Sequence, residues 1–141
     1  MPKSDPDARG GFSGLTMDHG REHMARAILE SVAAMLRATL DYLDVRCDEI
    51  RTMGGGALSP LWCGIKADMC GRRLVTLKNT DTACLGAAIL GGVGVGLFPS
   101  VEEACDRIVA TDREYIPEPS AASEAAYRAY VAADDRIYPQ A

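Results

Sequence analysis

The sequence predicts an α/β fold that is rich in helix and contains short parallel strands. Apolar residues recur at helical spacing over residues 21–43, which is typical of a long amphipathic helix. A short strand, a helix over residues 60–70 and a second strand then follow one another directly. A strand, a helix and a strand in this spacing form a right-handed βαβ unit, in which the two strands are parallel.

Length and composition indicate one globular domain. The chain has 141 residues, of which 48% are hydrophobic, and this is enough to bury a core. The formal net charge is -5 and no basic stripe is visible, which argues against a nucleic-acid surface. Residues 1–9 are polar, and no apolar run reaches the roughly 18 residues of a membrane span. We therefore expect a cytoplasmic protein that binds neither nucleic acid nor membrane.

Cysteine usage indicates a reducing compartment. The five cysteines are odd in number, lie in or beside apolar segments and form no Cys-x-x-Cys pair. This pattern predicts reduced, buried thiols and no metal site. The residues concerned are Cys47, Cys63, Cys70, Cys84 and Cys105.

The chain before the βαβ unit is predicted to change from disorder to helix. We expect a disordered lead over residues 1–10 and a short strand, or the exit from one, at residues 11–15. The two strands of the βαβ unit are expected at residues 49–53 and 73–77. The apolar face of the long helix is predicted to consist of Met24, Ile28, Val32, Met35, Leu36, Leu40 and Leu43.

The most informative segment is residues 53–62, which reads Met-Gly-Gly-Gly-Ala-Leu-Ser-Pro-Leu-Trp. Three successive glycines allow positive φ and let a planar ligand approach the backbone. Ser59 is predicted to cap the next helix, with Pro60 at its first position. That helix should end at Gly71 and bury Leu58, Leu61, Trp62, Ile65 and Met69. We call residues 54–59 the glycine elbow; the pattern alone leaves a ligand site and a structural turn equally open.

Helices are also predicted after the second strand. Thr80 is expected to cap a helix that begins at Asp81 and is rich in small residues. The glycines over residues 91–96 are interpreted as the end of this helix rather than as a dinucleotide loop. Ser100 and Glu103 have the spacing of a capping box and predict a further short helix.

Two prolines, Pro117 and Pro119, separate these elements from a last helix. This helix is expected over residues 121–137. It should present Tyr127, Tyr130 and Val131 to its packing partner.

No side chain stands out as catalytic. The elbow is not followed by the Lys and hydroxyl residue of a Walker-type phosphate loop. His19 and His23 have i, i+4 spacing without a third ligand, so we expect hydrogen bonds at the helix start or exposure. Glu30, Asp68 and Asp81 are expected to have structural roles. The residues thus predict binding features, with neither a catalytic group nor a metal site.

Four blocks of sequence, in the same order, resemble the FGGY family of carbohydrate kinases. They cover residues 10–30 (Gly-Gly-Phe-Ser-Gly-Leu, seven residues, then His-Met-Ala-Arg-Ala-Ile-Leu-Glu), 54–62, 67–72 and 79–88. The similarity extends roughly over residues 9–109. The Ser-Pro-Leu-Trp form of the elbow is closer to the pentulose kinases, such as xylulokinase, than to the glycerol kinases.

The resemblance implies an ATP-dependent sugar or polyol kinase with an RNase H-like, actin-like fold, of which this chain would be part of the second domain. Carried over by position, Gly55 and Ser59 match residues that contact adenosine, and Gly54 and Gly56 shape the turn. The helix over residues 81–90 matches one at the hinge between the two domains.

The resemblance also implies which parts lie elsewhere. We expect a nucleotide-binding domain over residues 11–116 that lacks its leading strands, followed by a C-terminal helix and tail over residues 117–141. The catalytic base, the sugar contacts and the Mg²⁺ ligands would belong to missing parts, so the chain alone is expected to be inactive. The missing strands would leave a sheet edge available for self-association. The alternative is a stand-alone, non-catalytic module that binds a nucleotide or a protein.

Overall fold

A computed structural model describes residues 9–44 and 46–137, with the side chains of residues 135–137 excepted. The predicted disordered lead therefore lies outside the described residues, except for residues 9 and 10. The elements, in chain order, are α1 (Arg21–Tyr42), β1 (Glu49–Thr52), a 3₁₀ turn (Gly55–Ala57), α2 (Pro60–Cys70), β2 (Arg73–Leu77), α3 (Thr82–Gly94), α4 (Val101–Ile108), β3 (Thr111–Tyr115) and α5 (Ala121–Ile137).

The three strands form one mixed sheet with β2 in the centre. β1 runs parallel to β2, with Glu49 opposite Arg73, and this confirms the predicted βαβ unit. β3 pairs antiparallel on the other side of β2, and the sequence did not predict it. Arg73 joins the three strands, because its guanidinium lies 2.5 Å from a Glu49 oxygen and 3.2 Å from a Glu114 oxygen.

Helix α2 lies at the centre of the fold and is buried on two sides. On one side, Ile65 and Met69 pack against the small residues Ala33 and Ala34 of α1, and Tyr127 and Tyr130 of α5 cover this cluster. On the other side, Cys63 and Ala67 pack against Leu74 of the central strand. The sheet and the helices are therefore joined through α2.

The predicted apolar faces of α1 and α2 were partly wrong. Ile28 and Met35 of α1 are 53% and 39% exposed, because Ala33 and Ala34 make the contact with α2 instead. Leu58 and Leu61 are 69% and 58% exposed, while the smaller Cys63 and Ala67 are buried. Small side chains allow two elements to approach closely, and counting large apolar residues misses such contacts.

The helix ends follow the predicted caps in most cases. Ser59 accepts a hydrogen bond from the Trp62 amide, Gly71 ends α2 with φ 60°, and Ser100 accepts one from the Glu103 amide. The cap of α3 is Asp81 rather than Thr80, because its carboxylate accepts from the Cys84 amide at 3.1 Å and α3 starts one residue later than expected.

The segment before α1 and the end of α3 are both rich in glycine. Residues 11–15 form neither a strand nor the exit from one; they are irregular, with Gly14 at φ 76°. The glycine cluster does end α3, which runs to Gly94 and is followed by Gly96 at φ 76°. Gly92 is required by packing, since an added Cβ would lie 2.8 Å from the Phe98 ring.

All five cysteines are free thiols, but their predicted burial was wrong for Cys84, which is exposed. Cys63 is buried, and the other three are half-buried. No helix in the described ranges is long and apolar enough to cross a membrane.

Candidate functional site

The glycine elbow leaves β1 through a conformation that only glycine adopts readily. Gly54 has φ 71° and ψ -166°. A single 3₁₀ turn follows, closed by a 3.0 Å hydrogen bond from the Ala57 amide to the Gly54 carbonyl and a 3.2 Å bond from the Leu58 amide to the Gly55 carbonyl. Ser59 then begins α2. The chain thus reverses sharply at the end of a strand and the start of a helix.

The three glycines of the elbow differ in what the fold requires of them. Gly54 is required by its positive φ. Gly56 is favoured by packing, since an added Cβ would lie 3.1 Å from Lys66 Nζ and 3.2 Å from Trp62 Cζ3. Gly55 has no positive φ, and an added Cβ would meet nothing within 4 Å. The fold therefore does not need glycine at Gly55, and the space in front of it is open.

Two side chains of α2, Lys66 and Cys63, donate hydrogen bonds to backbone carbonyls of the elbow. Lys66 donates to the Gly56 carbonyl at 3.5 Å, and its ammonium lies 4.2 Å from the Trp62 ring centre. The Cys63 thiol donates to the Gly56 and Ala57 carbonyls at 3.7 and 3.6 Å. Burial raises the pKa of this thiol, and the nearby Lys66 charge opposes that shift.

Lys66 was not among the residues predicted to belong to the site. It is only 8% exposed, which is unusual for lysine. The sequence did not predict this, because a single lysine in a helix is expected to face solvent. Its i, i+4 spacing from Trp62 was the available signal, because residues four apart share one helix face.

The outer rim of the elbow is apolar and open. Met53, Leu58 and Leu61 are each more than half exposed. The hydroxyl of Thr82 donates to the Met53 sulfur at 3.0 Å, which brings the start of α3 beside the elbow. The Cys84 amide holds the pKa of the Asp81 carboxyl at this helix start below its usual range. An open backbone turn with an apolar rim suits a flat ring system.

The other residues considered for ligand contact have hydrogen-bond or ion-pair partners within the fold. No group of three or more His, Cys, Asp or Glu side chains in the part of the chain that the structure describes could hold a metal ion. The partners are the Thr16 amide for His19 at 2.9 Å, the Gly20 amide for His23 at 3.1 Å, Arg26 for Glu30 at 2.7 Å and the Glu118 amide for Asp68 at 2.8 Å.

A cavity of about 290 Å³ lies at the opposite end of α2, between α1, α2 and α5. Arg37, which lines it, is paired with Glu124 at 2.8 Å and bonded to the Met69 carbonyl at 3.4 Å. The cavity is about one helix length, roughly 16 Å, from the elbow. It is therefore a junction of three helices and separate from the candidate site.

Comparison with known families decides the membership of this chain. Residues 1–95 match the family model described as the C-terminal domain of the FGGY family of carbohydrate kinases. The chain belongs to the FGGY family. This confirms the resemblance carried by the four sequence blocks, and it places the glycine elbow within the matched FGGY segment.

Individual FGGY kinases extend the comparison. The chain is 35% identical over 120 residues to a glycerol kinase of Shewanella amazonensis and 36% identical over 124 residues to the gluconokinase of Bacillus subtilis, covering 82% and 85% of the chain and 24% of each relative. The xylulose kinase structure from Rhodospirillum rubrum superposes with a TM-score of 0.77 at 30% identity, covering 96% of this chain and 28% of that one. The likeness confirms the predicted actin-like kinase fold. The chain spans about a quarter of the length of these relatives.

Proposed function

We propose that this chain is the nucleotide-binding C-terminal portion of an ATP-dependent carbohydrate kinase, and that the glycine elbow holds the adenosine end of the nucleotide. The observation that carries the proposal is Gly55, a glycine that neither backbone conformation nor packing requires. Glycine here lets a ligand approach the backbone more closely than a side chain would allow. Gly55 differs from open glycines inside helices, such as Gly64, because it lies between the end of a strand and the start of a helix. Membership in a family of kinases supports a nucleotide as this ligand.

In this proposal, each elbow residue has a defined task. Gly55 offers its bare backbone to the adenosine, and Ser59 contributes its side chain at the rim while it caps α2. Gly54 and Gly56 fix the shape of the turn. The exposed Leu58 and Leu61 beside it supply apolar surface for the base.

We assign no catalytic residue to this chain. Phosphoryl transfer depends on positioning and on neutralising charge around the γ-phosphate. No group of three or more His, Cys, Asp or Glu side chains among the described residues could hold a metal ion, and we derive no step through Mg²⁺. We therefore propose that the sugar contacts and the catalytic base are supplied from outside residues 1–141, and that the chain alone does not transfer phosphate.

The sugar is proposed to be a pentulose such as xylulose. The Ser-Pro-Leu-Trp form of the elbow and the likeness to a xylulose kinase support this choice. We place the reaction in the cytoplasm, consistent with five free thiols. Joining the chain to the first domain encoded at the same locus and measuring ADP release with ketopentoses, glycerol and gluconate tests the substrate. Release that is fastest with glycerol or gluconate would contradict it.

The free edge of β1 is proposed to take part in self-association. β1 is hydrogen-bonded only to β2 among the described strands, so its other edge can pair with a further strand. Sedimentation equilibrium over increasing protein concentration tests this. A monomer at every concentration would contradict it.

Titration calorimetry with ATP and ADP tests the nucleotide site. Gly55→Leu places a side chain in the open space in front of the elbow, where an added Cβ meets no neighbouring atom. Nucleotide binding should therefore be lost, while the unfolding transition should stay the same. Gly64→Leu is the matched control, because this glycine of α2 also has nothing within 4 Å of an added Cβ. Binding that is unchanged in Gly55→Leu would place the nucleotide elsewhere.

A further inference from the structure

Lys66 is a buried cation without a buried anion. Its side chain belongs to one of the least exposed stretches of the fold, yet no carboxylate among the described side chains forms an ion pair with its ammonium. Burying a charge is costly unless other groups compensate for the lost water. The compensating groups are the Gly56 carbonyl and the face of the Trp62 ring.

These contacts restrain one peptide plane of the glycine elbow. The carbonyl of Gly56 and the amide of Ala57 belong to the same planar, trans peptide unit and point in opposite directions. When Lys66 and the Cys63 thiol hold the carbonyl toward α2, the amide must point back toward Gly54. There it donates the 3.0 Å hydrogen bond that closes the 3₁₀ turn.

We propose that Lys66 is a positioning residue, whose ammonium, held between the Gly56 carbonyl and the Trp62 ring, fixes the glycine elbow in the shape that turns Gly55 outward. Lys66 acts through the backbone and does not itself touch the ligand. The consequence for nucleotide binding rests on the function proposed above. The effect on the turn does not depend on it.

Amide hydrogen exchange in the unliganded, full 141-residue chain tests the proposal directly. Lys66→Met keeps an unbranched side chain of similar reach and removes the charge. We expect the Ala57 amide to exchange about tenfold faster in this variant, the factor that matches the loss of one hydrogen bond to a charged group. Lys66→Arg keeps a cation that can also lie over the Trp62 ring, so the Ala57 exchange should rise less than in Lys66→Met.

Two controls separate a local effect from general destabilisation. Lys78→Met removes a charge from an exposed lysine and should leave Ala57 unaffected. The Val75 amide, in the central strand, should exchange at the same rate in Lys66→Met as in the unchanged protein. Equal Ala57 exchange in Lys66→Met and the unchanged protein would overturn the proposal. So would a rise at Val75 as large as the rise at Ala57.

Calorimetry with ADP gives the second readout. Lys66→Met should weaken ADP binding by about tenfold and Lys66→Arg should restore most of it. If the unchanged protein binds ADP and Lys66→Met binds it equally well, the role of Lys66 in ligand binding is wrong while the proposed function stands. If the unchanged protein binds no ADP, the proposed function fails and the exchange of Ala57 still decides on Lys66.

Discussion

The guanidinium carbon of Arg37 lies 3.8 Å from the centre of the Tyr127 ring. This contact joins α1 to α5, and two further bonds surround it. Arg37 bonds to Glu124 at 2.8 Å, and the Tyr127 hydroxyl donates to Asp41 at 2.8 Å. Helix α5 is thus held to α1 by the cation–π contact between Arg37 and Tyr127 and by the hydrogen bond of the Tyr127 hydroxyl.

The Tyr127 hydroxyl predicts a loss of stability at high pH. Burial, together with the bond to Asp41, raises the pKa of Tyr127 from 10.0 to about 12. Because the folded state favours the neutral phenol, this stabilisation is complete below about pH 10 and is lost as the pH rises toward 12. Urea unfolding between pH 9 and about 11.5 should therefore show a steeper decline for the unchanged protein than for Tyr127→Phe.

Tyr130 also has a raised pKa, mainly from burial. The stability of Tyr127→Phe should therefore still decline in part as the pH rises. Two parallel pH profiles would contradict the role given to the Tyr127 hydroxyl.

The glycines of the elbow should differ in their tolerance of alanine. Gly54→Ala forces a side chain into a conformation that is essentially restricted to glycine and should lower the free energy of unfolding by about 1–3 kcal/mol. Gly55→Ala meets neither strain nor a neighbour and should change it by less than about 1 kcal/mol. Urea denaturation of the two variants measures the difference. Equal losses would show that Gly55 is structural.

Much of this site could be predicted from local signals. Ser59, Pro60 and Gly71 mark the ends of α2 because cap residues act within a few positions of the chain. The parallel pairing of β1 and β2 followed from the order of elements. These features depend on geometry over short stretches of the chain, so a few neighbouring residues are enough to predict them.

Long-range features could not be predicted in the same way. β3 reads Thr-Asp-Arg-Glu-Tyr and its first four residues are exposed, so it lacks the alternation that identifies a strand. Leu61 stays exposed because the two covered sides of α2 are occupied by Ile65 and Met69 and by Cys63 and Ala67. Which side is covered depends on elements distant in the sequence. The burial of Lys66 depends on the carbonyl of Gly56, a backbone group that has no signature in the sequence. The boundary at residue 117, between the nucleotide-binding domain and the C-terminal helix and tail, stays a prediction.

Ser59 should contribute to stability as well as to the site. Its hydroxyl accepts from the Trp62 amide at 3.3 Å, and removing such a cap costs about 1 kcal/mol. Ser59→Ala should therefore lower the unfolding midpoint in urea, and Ser59→Asp should restore it, because aspartate caps equally well. A midpoint in Ser59→Ala equal to that of the unchanged protein would contradict this role.

The thiols should react in an order set by exposure and pKa. Burial raises the pKa of Cys70 to about 11 and also raises that of the buried Cys63, so both should be slow at pH 8. Cys84 is exposed and should react first with a chromogenic disulfide reagent. Cys84→Ser should remove the fast phase only. Retention of that phase would show that another thiol is the accessible one.

We expect the glycine elbow to receive the adenosine of the nucleotide. A crystal structure of the chain with a non-hydrolysable ATP analogue tests it most directly. We expect the adenosine to contact the backbone of Gly55, with Ser59 beside it and the 3₁₀ turn unchanged. An analogue bound elsewhere, with the space in front of Gly55 empty, would show that the elbow is not the nucleotide site.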